Sequence, residues 1–154
     1  MNIPAEEGEL WEECASLPHL TLLFDFEKSW GYNVAPLLDA GLPVLIYSGD
    51  QDYICNWYGG ARWTDALVWD GQQEFMAKGH SEWKSETLDE AGGSIKNFEN
   101  FTFMRVYDAG HMVPTDQPQY AYDMITEFMA TKKITACEHK DGCSFSKSQE
   151  IIQK

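Results

Sequence analysis

Residues 43–57 read PVLIYSGDQDYICNW, a short apolar run that passes into turn residues and then into a loop rich in carboxylates. A run that is apolar at every position and is closed by turn residues predicts a β-strand, here over residues 43–47, that is buried on both faces. Two carboxylates, those of Asp50 and Asp52, follow directly where this strand ends. The stretch therefore predicts a core strand with acidic groups at its carboxyl end.

A second strand and loop of the same kind lie further along the chain. Residues 101–107 read FTFMRVY, and their alternation predicts a strand with its aromatic side chains and Arg105 on one face. The loop DAGHMVP, at residues 108–114, follows it and carries His111. In open α/β sheets the active site lies beyond the carboxyl ends of the strands. If the two strands run parallel in one sheet, Asp52 and His111 meet at the same edge.

A carboxylate beside an imidazole has a defined chemistry. The carboxylate fixes the tautomer of the ring through one nitrogen, and the other nitrogen then acts as a general base toward a hydroxyl group. The order Asp52 then His111 is that of the last two members of the Ser, Asp, His order of α/β-hydrolase triads. Each residue alone also has an ordinary interpretation, because Asp50 or Asp52 can cap the following helix and a His after Gly is usually a loop residue.

Periodicity and turn residues predict the remaining elements. The chain shows no internal repeat. The sequence predicts an irregular acidic lead-in at residues 1–20, helices at 30–40 (ended by Gly41), 56–68 and 118–129, turns at 92–93 and 99–100, and a strand at 94–98.

The composition excludes two classes of partner. Of the 154 residues 44% are hydrophobic, enough for a core, and the net charge of -14 disfavours binding to nucleic-acid phosphates or anionic membranes. No apolar run reaches about 18 residues, so we expect no transmembrane helix, and the N-terminal residues lack the features of a signal peptide.

Residues 131–154 hold five Lys against three acidic residues, and this composition predicts a loosely ordered tail. Cys137 and Cys143 in this tail either close a small loop or are unrelated thiols.

The two loops resemble the signatures of a known family. GDQDYICNW at residues 49–57, followed by WTD at 63–65, resembles the acid-loop signature of serine carboxypeptidases of the carboxypeptidase Y and cathepsin A type. FTFMRVY at 101–107, leading to GHMVPTDQP at 110–118, resembles the histidine signature of the same family. The similarity extends over residues 21–130, between the lead-in and the tail.

Membership of that family implies an α/β-hydrolase fold, represented here by its last strands and helices and incomplete on its own. Carried over residue by residue, the resemblance makes Asp52 the triad acid and His111 the general base. It places Cys55 and Met112 in the walls of the substrate cleft. Because Cys55 lies three positions after Asp52, we expect it to be a free thiol in contact with the His111 loop. Asp50 is then left to order its own turn through backbone hydrogen bonds. We expect no cofactor and no metal ion.

Two further residues carry expectations of their own. The triplet Asn100-Phe101-Thr102 matches the N-glycosylation acceptor pattern, which is relevant if the protein is secreted. In the family, the segment with Cys14 contains a half-cystine whose partner lies far upstream, so Cys14 has no obvious mate in this sequence.

The nucleophile of the family is not found in the sequence. None of the nine serines has glycine at both positions two residues away, as a Gly-x-Ser-x-Gly elbow requires. The chain corresponds to roughly the last third of such an enzyme. We therefore expect the Ser nucleophile and its oxyanion donors in a missing N-terminal portion or in a partner chain.

The resemblance leaves three functions open. The chain is part of a serine carboxypeptidase that releases C-terminal amino acids from peptides through an acyl-enzyme; or it is a catalytically inert truncated remnant, which the initial Met1 favours; or it belongs to an acyltransferase-like branch with the same triad. The family implies a vacuolar, lysosomal or secreted location. An upstream reading frame with a Gly-x-Ser-x-Gly elbow distinguishes the first function from the second.

Overall fold

The structure is a computed structural model that describes residues 15–26 and 28–137. The predictions for residues 1–14 and for the charged tail at 138–154 fall outside the described residues. None of the helices in the described ranges is long and apolar enough to cross a membrane.

The chain divides into two compact units, one ending at Trp30 and the other beginning at Gly31. The first unit contains helix α1 (Ser16–Phe26), in which no residue is buried. The prediction of irregular structure through residue 20 is therefore wrong for residues 16–20, where a Leu-rich segment with good helix propensity begins the helix. All the remaining elements belong to the second unit.

A four-stranded sheet lies at the centre of the second unit. Its strands are β1 (Val44–Gly49), β2 (Ser81–Lys84), β3 (Ala91–Phe98) and β4 (Phe101–Val106), arranged in the order β1-β4-β3-β2. β1 runs parallel to β4, whereas β3 is antiparallel to both β4 and β2. The register places Gly49 opposite Val106, so the chain leaves both strands at the same edge of the sheet. The predicted meeting of the two loops required β1 and β4 to be parallel, and this arrangement is confirmed.

Helices cover the two faces of this sheet. They are a 3₁₀ helix (Gly31–Asn33), α2 (Ala35–Asp39), α3 (Trp57–Ala66), α4 (Gln72–Ala77), α5 (Val113–Asp116) and α6 (Pro118–Thr131). The predicted helices at 56–68 and 118–129 are confirmed, and Asn56 caps the N-terminus of α3, because its Oδ1 accepts a hydrogen bond of 2.8 Å from the amide of Gly59. The predicted single helix over 30–40 is divided, because Pro36 has no N–H and fits only the first turn of a helix.

The alternation of β4 separates two hydrophobic clusters. Phe101 and Phe103 pack on one face among residues of α2, α3 and α4, with Phe75 fully buried against them. Met104 and Val106 point to the other face and pack among residues of α5 and α6. The sheet is therefore covered by helices on both sides, as in α/β proteins.

Two predictions about the strands are wrong. β1 is only half-buried, and the Tyr47 side chain is 40% exposed, because β1 is the edge strand of the sheet that the structure describes. Gly92 and Gly93 lie within β3 and form no turn. A Cβ on Gly93 would be 2.3 Å from the carbonyl oxygen of Arg105, so this glycine permits a close approach of the two strands.

The segment after α6 is packed, contrary to the prediction of a loose tail from residue 131. Ile134 is fully buried in the cluster beneath α6, and its carbonyl accepts a hydrogen bond of 2.7 Å from Asn97 Nδ2. The amide of Cys137 donates to the carbonyl of Glu82 at 2.9 Å, and Cys137 is disulfide-bonded. The expectations for Cys14 and Cys143 fall outside the described residues.

Candidate active site

The loops that follow β1 and β4 bring Asp52 and His111 together. Asp52 Oδ2 lies 2.9 Å from His111 Nδ1, which confirms the predicted proximity. The Asp52 side chain is only 6% exposed, whereas that of His111 is 64% exposed. The dyad is thus a shielded carboxylate that holds one nitrogen of an imidazole whose ring is open to solvent.

Both oxygens of the Asp52 carboxylate are engaged. While Oδ2 contacts His111, Oδ1 accepts hydrogen bonds from the amides of Ile54 at 3.0 Å and of Cys55 at 3.1 Å. The hydrogen bond with His111 is the main cause that lowers the pKa of Asp52, and the two amides lower this pKa further against the opposing effect of desolvation. An ionised carboxylate only accepts hydrogen bonds, so Nδ1 carries the proton, and Nε2 of the neutral ring is free to act as a base.

The two loops are in direct backbone contact. The amide of Gln51 donates to the carbonyl of Ala109 at 2.9 Å, and Gln51 Nε2 donates to Asp108 Oδ1 at 3.2 Å. A Cβ on Gly49 would lie 2.2 Å from the carbonyl oxygen of Ala109 and 2.3 Å from that of Gly110. Glycine at this position therefore allows the loop that carries Asp52 (the acid loop, residues 50–56) to touch the loop that carries His111 (the base loop, residues 107–112).

The base loop is also held from its other end. The amide of Gly110, the residue before His111, donates to Asp116 Oδ2 at 2.7 Å. Gln117 Nε2 donates to the carbonyl of Asp108 at 3.2 Å, and Asp108 has a left-handed φ of 53°. These bonds tie the loop to the short helix α5 and fix the backbone on either side of the imidazole.

Asp50 does not order its own turn, so that prediction is wrong. Its Oδ2 lies 3.1 Å from the guanidinium NH2 of Arg105 on β4, and its Oδ1 has no hydrogen-bond partner among the described residues. An opposite charge on the neighbouring strand attracts the carboxylate more strongly than neutral amides do. The sequence contained a signal for this partner, namely one charged residue on a strand face that also carries Phe101 and Phe103.

Cys55 and Met112 lie on the two loops beside the dyad. Cys55 is an exposed free thiol, as predicted, and Met112 is 61% exposed. Asp52, Cys55 and His111 each bring one potential metal-ligand atom within 4.8 Å of the others. An ion bound through Asp52 Oδ2 or His111 Nδ1 would replace their mutual hydrogen bond. The expectation of no metal ion and the roles of Cys55 and Met112 in substrate binding stay predictions.

Asn100 has a structural role that argues against glycosylation. Its Nδ2, the atom to which a glycan would be attached, donates hydrogen bonds to the carbonyl oxygens of Leu38 at 2.9 Å and Leu42 at 2.7 Å. These two bonds hold the connection between α2 and β1. A glycan on Nδ2 would remove one of the two donors.

A parallel strand pair that presents an Asp-His dyad at its carboxyl edge is typical of the α/β-hydrolase fold. The sequence model of the family described as "Serine carboxypeptidase" matches residues 1–131, and the chain belongs to this family. It is 38% identical over 125 residues to carboxypeptidase Y of Saccharomyces cerevisiae and 48% identical over 102 residues to carboxypeptidase Y of Schizosaccharomyces pombe. These alignments cover 80% and 66% of the chain.

A solved structure supports the same fold. The crystal structure of KEX1(delta)p, a prohormone-processing carboxypeptidase from Saccharomyces cerevisiae, matches 84% of the chain with a TM-score of 0.68 and 28% identity. The chain covers only 28% of that structure, 24% of the Saccharomyces and 10% of the Schizosaccharomyces carboxypeptidase Y. The fold is therefore a partial α/β-hydrolase fold.

Proposed function

We propose that the chain supplies the acid and the base of the Ser-His-Asp triad of a serine carboxypeptidase, an enzyme that releases C-terminal amino acids from peptides. The observation that carries the proposal is the 2.9 Å contact between Asp52 Oδ2 and His111 Nδ1, with the ring of His111 open to solvent. In this reaction His111 Nε2 takes the proton of the serine hydroxyl as it attacks the peptide carbonyl, and then gives the proton to the leaving amine. Asp52 holds the tautomer and stabilises the imidazolium.

The nucleophile and the oxyanion donors come from sequence outside this chain, either from a preceding portion of the polypeptide or from a second chain. The length difference supports this, because the chain covers about a quarter of the Saccharomyces carboxypeptidase Y. Cys55 and Met112, exposed on the two loops, form part of the wall of the peptide cleft. The enzyme acts in a vacuole-like or lysosome-like compartment or outside the cell; one relative, 42% identical over 106 residues, is called a vacuolar serine-type carboxypeptidase.

The open edge of β1 is the surface on which the Ser-bearing portion pairs. The amides of Val44 and Asp50 donate to carbonyls on the β4 side, at 2.8 and 2.9 Å. In a parallel strand the N–H and C=O of alternate residues point to opposite sides. Leu45 and Tyr47 therefore direct their backbone groups to the side of β1 that no described strand covers. Such a row of unpaired groups is a template for another strand.

A chimera tests the proposal. In Saccharomyces cerevisiae carboxypeptidase Y, the region that this chain matches is replaced by residues 1–131. The chimera is expected to hydrolyse a blocked dipeptide, and His111→Ala and Asp52→Ala are each expected to reduce turnover by a factor of about 10⁴ or more. Asp89→Ala, which removes an exposed carboxylate elsewhere, is the matched control and is expected to leave turnover unchanged. A folded chimera without activity, or activity that survives His111→Ala, would contradict the proposal, and the former result would favour an inert remnant.

A further inference from the structure

Arg105 contacts three residues that flank the two loops carrying the dyad. It lies near the end of β4, its side chain is 23% exposed, and its guanidinium forms the ion pair with Asp50 at 3.1 Å. The guanidinium also lies over the ring of Trp57, 4.3 Å from its centroid, and 5.3 Å from the ring centroid of Tyr107.

These contacts reach both ends of the acid loop. Asp50 is the first residue after β1, and Trp57 is the first residue of α3, so the segment between them is the loop that carries Asp52. Tyr107 is the first residue after β4 and leads into the loop that carries His111. One side chain therefore connects the start of the acid loop, its end, and the start of the base loop.

The chemistry of arginine suits this position. Its planar guanidinium binds a carboxylate in its plane and stacks on aromatic rings through its faces, which the compact ammonium of lysine cannot do. A partly buried ion pair adds little net stability, because the desolvation of both charges offsets much of their attraction. The arrangement is therefore better suited to fixing a geometry than to stabilising the fold.

We propose that Arg105 is a positioning residue, which clamps the loop between β1 and α3 at both ends so that the Asp52 carboxylate meets His111. The consequence for turnover rests on the proposed function, whereas the geometric claim concerns this chain alone. Arg105 touches neither member of the dyad and acts on it through Asp50 and Trp57.

The pKa of Asp52 is a suitable measure of the position of the loop. The groups that lower this pKa are His111, through its hydrogen bond and charge, and the amides of Cys55 and Ile54. Arg105 is not among these groups. Arg105→Met also removes a positive charge and leaves the Asp50 carboxylate without its ion pair, and both changes raise the pKa of Asp52 directly. A rise in the charge-conserving variant Arg105→Lys therefore reports movement of the Asp52 carboxylate away from its donors.

The experiment follows the ¹³C carboxyl signal of Asp52 during an acid titration of the 154-residue chain. In Arg105→Met, which keeps an apolar stem, the pKa of Asp52 is expected to rise toward its ordinary value of 3.8. Arg105→Lys keeps the charge but not the stacking plane, and an intermediate rise is expected. Arg62→Met is the matched control, because Arg62 is exposed and stacks on Tyr58 at 5.7 Å on the surface of α3.

A folded Arg105→Met chain, judged by its amide spectrum, with an unchanged Asp52 pKa would overturn the proposal. If Arg105→Met does not fold, Arg105→Lys is decided by the same criterion. In the chimera, Arg105→Met is expected to lower kcat by about 10-fold to 100-fold with little change in KM, as a displaced catalytic group does. An inactive unmodified chimera would contradict the proposed function. It would not change the conclusion about Arg105, because the titration is carried out on the 154-residue chain.

Discussion

At the scale of single residues, hydrogen bonds hold both oxygens of the Asp52 carboxylate in place. This carboxylate accepts three hydrogen bonds, and the pKa of Asp52 is held below 3.8, mainly by the bond with His111. A carboxylate whose pKa is lowered by folding stabilises the folded state above its ordinary pKa, and this contribution is lost as the pH falls through the lower folded value. The carboxylate is therefore ionised in a mildly acidic compartment such as the one proposed for the enzyme.

Gly49 is the residue at which a small substitution should disturb both loops. In Gly49→Ala the added methyl group would lie 2.2 Å from the Ala109 carbonyl oxygen, so the two loops must move apart. We expect a loss of about 1–3 kcal/mol in the free energy of unfolding, measured by urea denaturation. The matched control is Gly79→Ala, since a Cβ at Gly79 has no atom within 4 Å. Equal stability of the two variants would show that the loops are not in tight contact.

The sequence predicted Asp52 and His111 as the members of the dyad, but it did not predict the ion pair between Asp50 and Arg105. Asp52 and His111 could be predicted because each follows a strand whose pattern is visible in the sequence. Arg105 on an aromatic strand face indicates that a charged partner exists, but that this partner is Asp50, 55 residues away, depends on which strands are neighbours. The free state of Cys55 was predicted from its position beside Asp52, whereas the hydrogen bonds of the Asn100 amide depend on contacts with a distant turn.

At the scale of elements, hydrophobic periodicity predicted strands and helices correctly, whereas the glycine pair at residues 92–93 was misinterpreted. β4, α3 and α6 follow their predicted ranges within a few residues. The glycines in β3 were interpreted as a turn because the sequence cannot show that Arg105 of the next strand approaches so closely. Ile134 was assigned to a loose tail because a single buried side chain in a polar segment has no periodicity.

Proline substitutions in β1 test which backbone groups face the open edge. In Tyr47→Pro the lost N–H points away from β4, so the urea stability of the chain is expected to change little, as for proline in edge strands. In Ser48→Pro the lost N–H belongs to the pairing with β4, and a loss of about 1–3 kcal/mol is expected. In the chimera, by contrast, Tyr47→Pro is expected to destabilise the enzyme, because the edge is then paired. Similar effects of Tyr47→Pro in chain and chimera would show that the edge remains open in both.

At the scale of the whole molecule, apolar side chains beside the dyad are exposed to solvent. Tyr53 and Ile54, next to Asp52, are 91% and 83% exposed, and Met112, next to His111, is 61% exposed. Neighbouring apolar side chains exposed at one site mark a surface that binds something. The edge of β1 that no described strand covers and these side chains both support the proposal that the Ser-bearing portion pairs here; the chain covers 24% of the Saccharomyces carboxypeptidase Y.

The most consequential expectation is that the 154-residue chain alone has no carboxypeptidase activity. Acyl transfer needs a hydroxyl that His111 can deprotonate and backbone donors aimed at the developing oxyanion, and each such donor contributes a factor of about 10²–10³ in rate. Removal of the nucleophile from a comparable triad costs about 10⁶ in rate. Asp52 can orient the imidazole ring, and His111 can accept a proton. However, no serine of the sequence lies in a Gly-x-Ser-x-Gly elbow, in which a serine hydroxyl would donate that proton. Purified chain is therefore incubated with a blocked dipeptide in mildly acidic and in neutral buffer, with His111→Ala as the control. Turnover above the buffer rate that disappears in His111→Ala would mean that one of the nine serines, or a copurified partner, completes the site.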